Sequence, residues 1–402
     1  MDQKVLIFGT GSIGTVYAWV VSNTTSPDNV VCVCRSNYEA AKTSGFTLNS
    51  TIWGQNLKFR PTIVQSVAEA ATYSPENTND DVQERQGRRA FDFIILTSKV
   101  HTGGVSPSTA EILRPVVTLG HTVIVLIQNG IGIEDEYAEL YPDNPLLSCV
   151  VRVPATQTSP GVVEHKAFEG LSVGTYPSFP PDSAPSEAGN DNEALAADGG
   201  RWNRGGTATI FAQRSSAAAN KFISMITAGG ATATLYPDIQ AQRWQKLVLN
   251  VAWNPVTALS RLRDQHFLRT SSVAGHHSST TPGWPLSPST LSPRELEQLD
   301  PEFSSLGFVR DLMLEVARTA AAYGYGEVCD SQLVEKTLDL FLAMPLEGIQ
   351  SSMMADALQG KSMEIEAIVG NAARLARAKG VSTPILKTIY ILIRGLDASF
   401  RL

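Results

Sequence analysis

Short runs of consecutive apolar residues, separated by polar turns, dominate the first half of the chain; apolar positions at helical spacing dominate the second. The run Val5-Leu6-Ile7-Phe8 is apolar throughout and too short for a helix, the pattern of a strand buried on both faces. Val16, Tyr17, Trp19 and Val20 then continue as a helix. Further strands are predicted at 30–34, 91–97, 123–127, 149–153 and 161–173, with one or two between 45 and 65 and a last one at 207–213. Helices are predicted at 134–140 and 217–228. From about residue 238 the period is helical, with helices at 306–323, 333–343, 361–379 and 385–396, the 306–323 helix stopped by Gly324 and the 361–379 helix by Gly380. Pro255 is expected to end or kink the first helix of that half.

Three stretches break the pattern. Residues 73–90 are polar and charged, 176–206 are rich in Pro, Ser, Ala, Gly and Asn, and 265–301 carry repeated Ser-Pro and Thr-Pro steps. They read as a surface insertion, a mobile insertion and a disordered one.

At 402 residues the chain has room for two or three domains, and a net charge of −7 argues against a dedicated nucleic-acid binder. No apolar run is long enough to span a bilayer. The first apolar run is short, lacks a basic lead and is followed at once by a glycine motif, so it is not read as a leader, and a cytoplasmic protein is expected. The four cysteines show no metal-ligand spacing and read as reduced core thiols, with Cys32 and Cys34 expected on opposite faces of their strand.

Gly9-Thr10-Gly11-Ser12-Ile13-Gly14 lies between the first strand and the first helix, the context in which a Gly-x-Gly-x-x-Gly turn binds a dinucleotide. Gly9 allows the tight turn, Gly11 the approach of a pyrophosphate, and Gly14 close packing of helix on strand. The helix N-terminus offers N–H groups to the phosphates. The second strand ends in Arg35, where an NAD site usually carries an acid; a guanidinium there suits a 2′-phosphate, hence NADPH. Lys99 and Asn129 follow the ends of two later strands, where ligands of an open α/β sheet sit; an Asn-Gly turn is the competing reading of Asn129. His101 reads as a structural loop histidine, and the adjacent His276 and His277 lack partners for a metal site. Lys246, Asn250 and Asn254 form an i, i+4 stripe on an otherwise apolar helix, one cation and two amides aligned. The fold expected is α/β: a Rossmann-type dinucleotide-binding domain over 1–235 and an all-helical domain over 236–402.

Together with Gln128-Asn129-Gly130, Ser351-Ser352-Met353 with Asp356, Glu364 and Gly380-Val381-Ser382-Thr383-Pro384, these pieces resemble the ketopantoate reductase family (2-dehydropantoate 2-reductases) over most of the chain outside the three insertions. The resemblance implies NADPH-dependent reduction of a 2-keto acid, with 2-dehydropantoate to (R)-pantoate in pantothenate biosynthesis as the leading case. It makes Lys246 and Glu364 the catalytic residues. Asn250, Asn254 and Ser352 become the substrate-binding residues, and Lys99 and Asn129 lie beside the cofactor. The helix context leaves Ser352 an alternative as an N-cap. The implied partner is a small 2-keto acid, with no metal, nucleic acid or membrane, and a homodimer is compatible. Members of the family are commonly much shorter. Fungal-type relatives that reduce 2-ketoisovalerate supply a second substrate, and a non-catalytic NADP(H) sensor is a third reading.

Overall fold

The structure is a computed structural model that describes residues 3–72, 90–100, 107–178, 205–268, 304–345 and 347–402. The three expected insertions lie almost wholly outside the described residues, as do His101, His276 and His277. Of their described fringes, Tyr176 closes a strand, Gly205 opens a helix, and 265–268 complete the short helix Asp264–Leu268.

The strands are Val5–Phe8 (β1), Val30–Val33 (β2), Phe46–Ser50 (β3), Gly54–Phe59 (β4), Thr62–Val64 (β5), Phe93–Leu96 (β6), Val123–Leu126 (β7), Leu146–Val151 (β8), Ala155–Ser159 (β9), Val162–His165 (β10), Leu171–Tyr176 (β11) and Ala233–Leu235 (β12). Eight of them form one sheet in the order β12-β11-β8-β7-β6-β1-β2-β5, and four a smaller sheet, β4-β3-β10-β9. In the large sheet every pairing is parallel except β8 with β11. The central runs are buried at nearly every position because helices cover parallel sheets on both faces. Strand order reverses at β1, which lies between β2 and β6, and such a reversal opens a crevice beyond the carboxyl ends of the strands.

By internal contacts the chain divides into a sheet unit, Met1–Asn129 with Ile133–Gln242, and a helical unit, Gly130–Gly132 with Arg243–Leu402. The sheet unit's core joins Val5, Ile7, Phe93, Ile95 and Val125 to Ala219, Phe222 and Ile226 of the helix Gly205–Ala228. The helical unit's core centres on the helices Ile239–Ser260 and Ser305–Ala320, through Leu247, Val251, Val309 and Val316.

Several expectations are corrected. Residues 207–213 are the start of the Gly205–Ala228 helix rather than a strand. Their β-branched residues favour a strand locally, but the buried positions Ala219, Phe222 and Ile226 follow helical spacing and Ile210 stays exposed. The last strand is β12 instead. Pro255 does not end its helix, which runs on to Ser260. Burial of Trp253, Val256 and Ala258 on both sides of the proline outweighs its cost of about 3 kcal/mol. The helix expected from 361 begins at Ile365 and passes through a π-type turn, Glu366–Gly370, before continuing as Asn371–Ala378. Cys32 and Cys34 share one core cluster, since residues two apart on a strand face the same way.

Candidate active site

The glycine turn is built by close packing at two of its glycines and by openness at the third. Gly9 takes φ +95°, and a Cβ there would collide with the Ser98 backbone after β6. A Cβ on Gly14 would strike the Gly9 carbonyl and Thr97. At Gly11 a Cβ would meet nothing within 4 Å. No internal packing therefore requires a glycine at 11, whereas the approach of a ligand's phosphates would. The helix Ser12–Ser22 starts with no side-chain cap, which leaves its first N–H groups suited to an anion. These residues fit the pyrophosphate of a dinucleotide.

The turn is tied to the neighbouring strand ends. The Thr10 N–H and hydroxyl both donate to the Val33 carbonyl, at 3.3 and 3.2 Å, and Asn37 donates to the Thr10 carbonyl at 2.7 Å. Arg35 lies between these anchors, exposed, and forms no ion pair with a described residue. Thr97 donates to the Gly9 carbonyl at 2.8 Å, and Gln128 donates to the Ser98 carbonyl at 2.8 Å. The ends of β1, β2, β6 and β7 thus form one hydrogen-bonded rim carrying Gly9 to Gly14, Arg35, Lys99 and Asn129. Lys99 and Asn129 are both half-buried on it.

In the helical unit Asn250 and Asn254 are buried and Lys246 is half-buried on the helix Ile239–Ser260. Ser352 donates to Oδ1 of Asn254 at 3.1 Å, and the Met353 N–H donates to the same oxygen at 3.3 Å. A backbone N–H can only donate, so the Asn254 oxygen faces the Ser352–Leu358 helix and its NH2 group points elsewhere. The side chain of Asn250, 8 % exposed, makes no hydrogen bond to a described residue. The helix cap is Ser351, which accepts from the Met354 N–H at 3.1 Å and pairs with Thr257 at 2.6 Å. Ser352 is therefore not an N-cap and keeps its hydroxyl on Asn254. Glu364 is half-buried just ahead of the π-type turn.

Sequence reasoning missed Asn37, Ser98 and Ser351, whose roles depend on what the fold brings beside them, and Asn371, which donates to the Ile131 carbonyl at 2.6 Å. The thiols are not candidate nucleophiles. All four are buried, and burial pushes Cys34 up to about 11 and Cys329 up to about 12. Among the described residues no group of His, Cys, Asp and Glu could hold a metal ion, and no helix is long and apolar enough to cross a membrane.

Two family profiles match the chain: Ketopantoate reductase PanE/ApbA over residues 5–178, and Ketopantoate reductase PanE/ApbA C terminal over 300–397. An uncharacterized protein of Saccharomyces cerevisiae is 25% identical over 417 residues, covering 99% of this chain and 95% of its own. The 2-dehydropantoate 2-reductase of Nostoc sp. strain PCC 7120 is 21% identical over 400 residues, covering 100% and 97%. Among solved structures, 2-dehydropantoate 2-reductase from Methylococcus capsulatus superimposes with a TM-score of 0.66 at 26% identity, covering 99% of this chain and 98% of that one.

Proposed function

The chain belongs to the ketopantoate reductase family, and on that premise we propose that it reduces a 2-keto acid to the 2-hydroxy acid with NADPH, 2-dehydropantoate to (R)-pantoate being the leading reaction. The observation that carries the reading is the polar stripe on the Ile239–Ser260 helix: Lys246, Asn250 and Asn254, the last locked to Ser352. Burial makes a side-chain amide such as that of Asn250 costly without a partner, and a small polar substrate supplies one.

The nicotinamide supplies the hydride when bound. Lys246 stabilises the negative charge that develops on the C2 oxygen and delivers a proton to it. With its oxygen fixed by Ser352 and Met353, Asn254 has only its NH2 group left to donate, which suits a carboxylate. Ser352, already donating to Asn254, keeps its lone pairs to accept from a substrate hydroxyl. Asn250 can donate or accept. Glu364 completes the catalytic set as a carboxylate acceptor. At the cofactor's other end Gly9 to Gly14 would hold the pyrophosphate and Arg35 the 2′-phosphate, and Lys99 and Asn129 would offer polar groups toward the nicotinamide end. The same side chains accommodate 2-ketoisovalerate, which lacks the hydroxyl that Ser352 would accept from; a site built around that hydrogen bond discriminates strongly against the ketone without it.

NADPH oxidation measured with 2-dehydropantoate and 2-ketoisovalerate side by side, each repeated with NADH, tests the proposal. The expected ranking by kcat/KM is 2-dehydropantoate first, with NADPH preferred. Binding of NADPH without oxidation across a panel of 2-keto acids would favour a sensor instead.

A further inference from the structure

The five-residue run that carries Asn129 is held on both sides of it. Within the sheet unit, buried Gln128 is fixed by its bond to Ser98. Within the helical unit, each of the next three residues is gripped. Arg243 donates to the Gly130 carbonyl at 2.9 Å, and the Ile131 N–H donates to the Ala367 carbonyl at 3.2 Å. Asn371 donates from Nδ2 to the Ile131 carbonyl at 2.6 Å and to the Gly132 carbonyl at 3.4 Å. Gly130 takes φ +104°, and a Cβ there would collide with the Ala367 backbone. Ala367 belongs to the π-type turn Glu366–Gly370, a helical irregularity that often accompanies a functional site.

Asn371 is itself held. Its Oδ1 accepts from Arg374 at 2.6 Å; Arg374 donates to Glu366 at 2.8 Å, and Tyr390 donates to Glu366 at 2.9 Å. A guanidinium only donates, so the Asn371 oxygen must face Arg374 and its NH2 must face the two carbonyls. An aspartate at 371 would set a carboxylate oxygen against those carbonyls. This chain of polar groups is partly exposed, where such pairs add little to stability. What it does fix is the path of the backbone that leaves Asn129.

We infer that Asn371 is a positioning residue of the dinucleotide site, clamping Gly130–Gly132 so that the adjoining Asn129 amide is presented to the bound cofactor in one orientation. The inference rests on the dinucleotide reading proposed above. A displacement of about 1 Å at a positioning group is enough to cost on the order of a hundredfold in a reaction.

The test is a double-mutant cycle on the full chain, read as the Kd for NADPH and as kcat/KM. Asn371→Asp is expected to weaken NADPH binding about tenfold in the wild-type background and less than about twofold in an Asn129→Ala background. The unfolding midpoint should be little changed. Arg374→Ala removes the prop but leaves the Asn371 bonds, and should give the same pattern at about threefold, which keeps the test available if Asn371→Asp misfolds. Equal losses in both backgrounds, or no loss in either, would overturn the positioning role. A wild-type chain that binds neither NADPH nor NADH would instead overturn the dinucleotide reading itself.

Discussion

Ser352 and Asn254, 98 residues apart in sequence, share a hydrogen bond of 3.1 Å in which the serine donates and the asparagine oxygen accepts. The Met353 N–H donates to that same oxygen. The pair leaves one donor face on Asn254 and one acceptor face on Ser352. Asn254→Ala should therefore raise KM for the 2-keto acid about tenfold, with the Kd for NADPH nearly unchanged. It also strips two donors of their acceptor, at a stability cost of about 1–3 kcal/mol. Ser352→Ala should cost less in KM for 2-ketoisovalerate than for 2-dehydropantoate. Steady-state kinetics on both substrates checks this; a matching loss in NADPH affinity would count against a substrate role.

Arg35 is exposed beyond β2, beside the anchored glycine turn. Arg35→Ser should weaken NADPH binding about tenfold or more while leaving NADH affinity nearly unchanged, if the guanidinium holds the 2′-phosphate as proposed. Titration of cofactor fluorescence measures both. Equal weakening of the two cofactors would show that Arg35 does not read the phosphate.

Glu315 is buried in the Ser305–Ala320 helix, and its two oxygens accept from the Ile385 and Leu386 N–H groups at 3.0 and 2.8 Å. It caps the N-terminus of the Pro384–Ser399 helix from a distant part of the chain. Glu315→Ala should destabilise the protein by about 2–4 kcal/mol, since one buried and one part-buried N–H donor lose their carboxylate acceptor. Glu315→Gln, which keeps one acceptor, should lose less. Denaturant unfolding of the three proteins gives the order.

Burial raises the Cys34 thiol to about 11 and the Cys329 thiol to about 12. The native protein should react slowly with a thiol reagent at pH 8, and all four thiols should react once it is unfolded. A raised acid pKa means that the folded state holds its proton more tightly. Stability from this source is thus full below the ordinary thiol pKa and falls as pH rises through the alkaline range toward 11 and 12. Unfolding midpoints across that range should decline, and replacing Cys34 and Cys329 by Ala should flatten the decline.

What the sequence disclosed follows from which forces are local. The central strands were legible because a parallel strand covered on both faces reads as an unbroken apolar run, and Val5–Phe8 followed by the glycine turn is such a case. The lysine and two amides of the Ile239–Ser260 helix were legible through helical spacing alone. Residues 207–213 were not, because their β-branched side chains favour a strand and only packing against the sheet selects the helix. Pro255 misled for the same reason: the packing on either side of it is invisible in local propensity. Ser351 and Ser352 are adjacent and chemically identical, yet one caps a helix and the other binds Asn254. No pattern in the chain distinguishes them, because the distinction depends on Thr257 and Asn254 nearly a hundred residues earlier.

In the proposed NADPH-dependent reduction, Lys246 acts on the C2 oxygen of the 2-keto acid. The most direct test of that role is turnover of 2-dehydropantoate by Lys246→Ala beside the wild type, with NADPH binding measured on the same samples. A fall in kcat of about a hundredfold or more is expected, with NADPH affinity within about twofold of wild type. Turnover by the variant within a few fold of the wild type would contradict that role.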